Sequence, residues 1–335
     1  MRRQTLERIP WLIPEPGLRR CGALPPFDPA DGKTVLAPPA AGPGCWSGAS
    51  DVVFDDRAGR FYLYARTRWP KDPDDPEPRG ARCAIYDSRD GHTFTEIWSA
   101  RSTQFDADAL EKGSLLILPD GRHRLYLSRE CPGGQGWQID LLEAETFAAL
   151  DPARRQPVLT PTEVGAGQVK DPVVVLAGGL TLLYANVSVP GGGEATGLAV
   201  SADGVRFEWR GPVLPPGMSG AWDCWTARAT GVLYAAPAWY LFYDGAAAAS
   251  ECDEEQTGVA VGFTPERFTR LTPEGPLAPG APRGGLRYDG DRILPSIGAV
   301  RYLTPILAKN RILYYFEWTR PDGSHELRVA DYDLG

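Results

Sequence analysis

The chain has 335 residues, 43% hydrophobic and 23% charged, an ordinary globular composition with enough apolar side chains for a sizeable core. Its net charge of −8 argues against a nucleic-acid partner, because binding a phosphate backbone depends on clustered Lys and Arg; a neutral ligand fits better. No run approaches the roughly 18 apolar residues of a membrane span. The opening Met1-Arg2-Arg3 is not followed by the apolar stretch of a secretory signal, so a cytoplasmic protein with no membrane partner is expected.

The first 45 residues are Pro-rich and irregular, although Lys33-Thr34-Val35-Leu36-Ala37 has the composition of a strand that closes a ring. Beyond them the chain repeats itself. Ala49-Ser50-Asp51-Val52-Val53-Phe54 passes a turn at Gly59 into Phe61-Tyr62-Leu63-Tyr64. Leu110 to Leu116 passes Asp120-Gly121 into Leu125-Tyr126-Leu127, and Lys170-Asp171-Pro172-Val173-Val174 passes Gly178-Gly179 into Leu182-Leu183-Tyr184. A fourth copy runs from Thr226-Ala227-Arg228 to Tyr240-Leu241-Phe242-Tyr243, and a fifth from Ser296 to Ile312-Leu313-Tyr314. Asp-Gly and Gly-Gly between β-branched or aromatic runs are hairpin signals.

An outer hairpin repeats as well: Ser88-Arg89-Asp90-Gly91 answers Ser201-Ala202-Asp203-Gly204. Four strands per unit is a propeller blade. The expectation is an all-β chain forming a single domain over 1–335, a five-bladed β-propeller with four antiparallel strands per blade.

First strands of blades line the central channel. Aligning the units on Tyr64, Tyr126, Tyr184, Tyr243 and Tyr314 brings Asp51, Glu111, Asp171, Arg228 and Arg301 to matching positions facing one pocket. Carboxylates held close together raise one another's pKa at a cost in stability, so a convergent set points to use. Trp46, Trp222 and Trp225 lie near these positions and offer flat faces on which sugars stack, beside the alternative that they pack in the blades. His92, His123 and His325 fall in or beside turns and read as surface residues. The six cysteines stand far apart with no paired spacing, which suits reduced, mostly buried thiols and argues against zinc. Asp72 to Pro78, a run of acids and prolines, reads as a solvated loop.

Asp51 in Ser-Asp-Val-Val-Phe, Asp171 in Lys-Asp-Pro-Val-Val-Val, and Trp-Tyr-Leu-Phe-Tyr-Asp-Gly at 239–245 resemble the five-bladed glycoside hydrolases of the arabinanase and β-xylosidase type, family 43, with invertases and levansucrases as cousins. The resemblance implies cleavage of a small carbohydrate in an acidic central pocket, with Asp51 as general base and Asp171 tuning the acid. It implies a general-acid Glu in the fourth blade, where this chain has Arg228; Glu111 or Asp223 would then donate the proton. Trp46, Trp222, Trp225, Arg228 and Arg301 would bind substrate. Propeller glycosidases sometimes hold a channel cation with a His, but none of the three His here falls on an expected inner strand, so no cofactor and no obligatory metal are expected. The alternative is a carbohydrate- or anion-binding propeller, or a phosphate-using relative, in which Arg228 grips a uronate or phosphate.

Overall fold

The computed structural model describes residues 23–25, 27–70, 80–290 and 292–334. The expected loop at Asp72 to Pro78 and most of the N-terminal lead-in lie outside them. The described chain is nearly all β. In chain order the strands are β1 (Lys33–Leu36), β2 (Trp46–Asp55), β3 (Arg60–Arg68), β4 (Arg82–Ser88), β5 (Thr95–Arg101), β6 (Leu110–Ile117) and β7 (His123–Glu130). They continue as β8 (Trp137–Ala144), β9 (Gln156–Leu159), β10 (Val169–Ala177), β11 (Leu180–Ser188), β12 (Glu194–Ser201), β13 (Glu208–Leu214) and β14 (Thr226–Ala235). The last are β15 (Ala238–Ala246), β16 (Gln256–Thr264), β17 (Arg267–Arg270), β18 (Arg287–Asp289), β19 (Arg292–Ile293), β20 (Val300–Ala308), β21 (Arg311–Thr319) and β22 (His325–Asp333). The only α-helix among the described residues is the turn Pro161–Val164, and no helix among them is long and apolar enough to cross a membrane.

Antiparallel pairing joins β2 through β5, β6 through β9, β10 through β13 and β14 through β17 into successive ladders. In the last ladder β20, β21 and β22 are completed by β1, which pairs with β22 as the ring-closing expectation requires. The first strands β2, β6, β10, β14 and β20 pack in that order and return to β2. Apolar side chains fill the space between each ladder and the next. Leu115 and Leu125 meet Tyr64 and Ile85, for example, and Val52 and Leu63 meet Leu313 and Leu327.

Tyrosines of the second strands lock these layers. Tyr126 donates to the Gly204 carbonyl at 2.8 Å and Tyr315 to the Gly91 carbonyl at 2.7 Å. The receiving turns are the two Ser-x-Asp-Gly repeats. The Asp203 carboxylate accepts from the Val205 and Arg206 amides, and Asp90 from those of His92 and Thr93. Gly204 has φ +69°, a left-handed backbone that favours glycine.

Every first strand carries a register shift: between Gly48 and Asp51, Leu110 and Gly113, Lys170 and Val173, Ala229 and Gly231, and Arg301 and Thr304. Bulges of this kind re-aim side chains. In three ladders the residue that follows the last paired position before the shift has a positive φ: Ala49 at 50°, Asp171 at 55° and Tyr302 at 49°. Each donates its backbone N–H to a side chain on the second strand of the preceding ladder, respectively Glu317, Ser128 and Asp244. These three positions are therefore equivalent, and the counterpart of Asp171 in the first unit is Ala49. Asp51 stands two residues further along. Between Asp55 and Arg60 the first hairpin spans Asp56 to Gly59, whereas Gly178-Gly179 alone turn the third, so counting back from the tyrosine stops two residues short.

Candidate active site

The bulges bring the starts of the first strands to one mouth of the ring, where Arg228 is the hub. Its guanidinium bonds Glu255 at 2.6 Å, Asp244 at 3.1 Å and Asp171 at 3.3 Å, and lies 4.5 Å from the Tyr302 ring centroid. Arg301 bonds the same Glu255 Oε2 at 2.5 Å and stacks 4.9 Å from the Trp46 ring. Both guanidiniums are pushed up by the acids around them, against the cost of burial, and stay charged. The backbone strain at Asp171 and Tyr302 is held by these contacts, as expected at a functional site.

Two carboxyls of this mouth are driven in opposite directions. Burial pushes Glu255 up to about 7, outweighing Arg228 and Arg301. Both guanidinium bonds go to Oε2, so a proton on Oε1 leaves them intact. Burial acts on Glu111 too, but Arg66, Arg68, Lys170 and Arg228 bring it down to about 2. Arg66 pairs directly with Glu111 and lies 3.7 Å from Glu317. Several buried polar atoms here have no protein partner, among them Asp171 Oδ1, Arg228 Nε, Arg301 Nε and Trp46 Nε1. Such a cluster marks a place where a polar ligand or water completes the bonding.

A cavity of about 290 Å³ opens beside Arg228, lined by Glu255, Lys170, Glu194, Gln168 and Trp225 among others. At the other end of the channel a second cavity, about 410 Å³, is walled by downstream apolar residues such as Val53, Ile117, Val175 and Leu233. Asp51 belongs to this second cavity. It accepts from the Leu115 amide at 2.7 Å and Ser114 at 3.1 Å and faces Lys112 at 3.5 Å. Lys112 is fully buried and donates to the Ser50 carbonyl at 2.8 Å.

Of the residues singled out from sequence, Asp171, Arg228, Arg301 and Glu111 come together at the mouth, and Trp225 lines its cavity. Trp46 is buried within the cluster, stacked on His325 at 3.8 Å. Asp223 is fully buried and bonds Arg270 at 2.5 Å, and Trp222 stacks on Tyr243 at 5.7 Å in the core of the fourth ladder. The histidine expectation is corrected: His325 is fully buried, His123 is buried against Phe147, and His92 is half-buried in a 2.8 Å contact with Asp331. Trp46 covers the His325 ring and Tyr62 and Phe147 that of His123, which excludes water from both. Among the described cysteines all are free, but only Cys45 and Cys83 are buried. Sequence reasoning missed Glu255, Asp244, Glu317, Lys170 and Glu194. Glu255 ends the acidic run Asp253-Glu254-Glu255 just before β16, a signal visible once third strands are searched as well as first ones.

In architecture the chain is similar to the propeller glycoside hydrolases of family-43 type, a likeness of fold. No family model matches the chain, and no curated protein matches it in sequence. Among solved structures it is similar to the β-1,2-mannobiose phosphorylase from Listeria innocua in complex with β-1,2-mannobiose, at 12% identity and TM-score 0.60, covering 93% of each chain. It is similar to a thermostable family-43 glycoside hydrolase at 14% identity and TM-score 0.61, covering 88% of this chain and 91% of the other. A third, at 13% identity and TM-score 0.58, covering 89% and 86%, comes from the family-130 mannoside phosphorylases, which contain glycoside hydrolases that target β-1,2 mannosidic linkages in Candida mannan.

Proposed function

We propose that the chain is one five-bladed propeller domain, each ladder a four-stranded blade, and that its Arg228 mouth cleaves a glycosidic bond in a small carbohydrate. The observation that carries this reading is the divergence of two carboxyls that both feel the Arg228 charge, Glu255 bonded to it and pushed up to about 7, Glu111 brought down to about 2. Environments that split the pKa values of paired carboxyls are how acid and base roles are assigned at neutral pH. In this reading Glu255 gives its proton to the leaving oxygen as the anomeric C–O bond breaks. Ionised Glu111 faces the positive charge that develops on the ring and orients the attacking water, whose oxygen bonds the anomeric carbon. The water's proton leaves through Glu111, and bulk solvent restores Glu255. Asp171 and Asp244 hold Arg228, which fixes Glu255.

Asp51 and Asp223 have no part in this scheme, the first because it lines the other cavity, the second because Arg270 and the fourth-blade core enclose it. Gripping an external anion with Arg228 is disfavoured, since the carboxylates of Asp171 and Asp244 already neutralise it. The similarity to a mannobiose phosphorylase favours testing phosphate as the attacking group in place of water, with a sugar phosphate as product. A panel of aryl mannosides, xylosides, arabinofuranosides, fructosides and galactosides, each with and without phosphate, tests the proposal. Release of the aryl alcohol from one sugar class supports it; no release from any, by protein shown to be folded, overturns it.

A further inference from the structure

Resting on the carbohydrate reading above, we infer that the cavity beside Arg228 is a dead-end subsite for one uncharged terminal sugar ring, read by Trp225 and the Lys170–Glu194 pair. Its size is the first argument. At about 290 Å³ it falls at the lower limit of the ~300–1,000 Å³ typical of small-molecule pockets, room for a ring and not for a run of them.

The floor is closed. This cavity and the apolar one share no lining residue, and Lys112, Asp171, Thr230 and Thr304, which line or bond to their walls, are buried. They are tied to their surroundings: Lys112 and Thr304 both donate to the Ser50 carbonyl, at 2.8 and 3.1 Å, and Thr230 donates to the Leu303 carbonyl at 2.9 Å. A polymer cannot thread through, so only a chain end enters.

The walls suit a neutral polyol. Lys170 and Glu194 face each other at 3.8 Å, and each favours the other's charged form against burial. Glu194 also accepts from Gln168 at 2.6 Å and Asn186 at 2.8 Å. Its position is thereby set, and spare lone pairs remain for sugar hydroxyls. A uronate would meet Glu194, while the two cations of the lining, Lys170 and Arg228, already face acids of the protein. The Gly192-Gly193 turn lies directly against Trp225: a Cβ at Gly192 would be 2.5 Å from the indole. This contact fixes the ring as a platform for the apolar face of a sugar.

Isothermal titration with methyl mannoside, methyl xyloside, methyl arabinofuranoside, the methyl glycoside of glucuronate with its carboxylate free, and β-1,2-mannotriose tests the inference. One neutral methyl glycoside should bind, and the glucuronate should not. Trp225→Ala and Glu194→Gln should each weaken the binding ~10-fold or more, with Trp225→Phe intermediate and all three variants melting as cooperatively as the wild type. The trisaccharide should bind no more than ~10-fold tighter than its own monosaccharide unit. Unchanged affinity in the variants, preference for the glucuronate, or a larger gain with chain length would overturn the subsite while leaving a carbohydrate ligand in place. No binding by any of the five would overturn the carbohydrate reading and the subsite with it.

Discussion

Glu255→Gln isolates the proton that the proposed chemistry needs. In the unfolded chain this carboxyl ionises at its ordinary 4.5, whereas in the fold burial holds it up to about 7. A group whose folded pKa is raised contributes stability in full below its unfolded value and loses it as pH rises through the folded value. The window is therefore pH 4.5 to 7. The displacement corresponds to about 3 kcal/mol, from the energy per pKa unit. Gln keeps an oxygen that can accept from Arg228 and Arg301 but does not titrate. Urea unfolding of wild type and variant at several pH values between 4.5 and 8 provides the assay, because differences between the two cancel every other titrating group. The wild type should lose roughly 3 kcal/mol relative to the variant across that window. A difference that stays flat with pH would mean Glu255 is ionised throughout, and the proton-donor assignment would lose its physical basis.

Two further variants test the placement of side chains. Asp51→Asn should leave turnover of any accepted glycoside within ~2-fold while destabilising the fold by about 3 kcal/mol, because buried Lys112 loses its counter-charge; loss of activity in folded protein would return Asp51 to the site. Tyr126→Phe removes the 2.8 Å bond to Gly204 and should cost about 1 kcal/mol in thermal or urea unfolding. No change in stability would show that this tyrosine does not lock adjacent ladders.

Much of the fold was legible because the repeat is written in local chemistry. Hairpin turns, the paired Ser-x-Asp-Gly motifs and the second-strand tyrosines all lie within short stretches, and each has a structural job that only a few residue types perform. The mouth was half legible. Glu111, Asp171, Arg228 and Arg301 were found because first strands share a register. Asp51 was drawn into the set by a count from Tyr64 that cannot see the longer turn at Asp56 to Gly59. Asp223 and Trp222 lie close to Arg228 in sequence, but they bond Arg270 and the Thr272 carbonyl at the outer side of the fourth ladder, Asp223 fully buried and Trp222 half-buried against its core. Glu255 escaped because it enters from the segment before β16. Which acids of non-adjacent segments converge depends on bulges and loop lengths, and these leave little trace in residue type.

The most direct test of the central claim is leaving-group dependence in the Glu255→Gln enzyme, measured with aryl glycosides of the accepted sugar whose phenols span a wide range of acidity. An enzyme that has lost its proton donor should cleave substrates with strongly acidic phenols at near wild-type kcat and lose at least ~100-fold with poor leaving groups, since general acid catalysis contributes roughly 10²–10⁴-fold. If the variant loses the same factor for every leaving group, or loses none, Glu255 does not supply the proton and the account of this site is wrong.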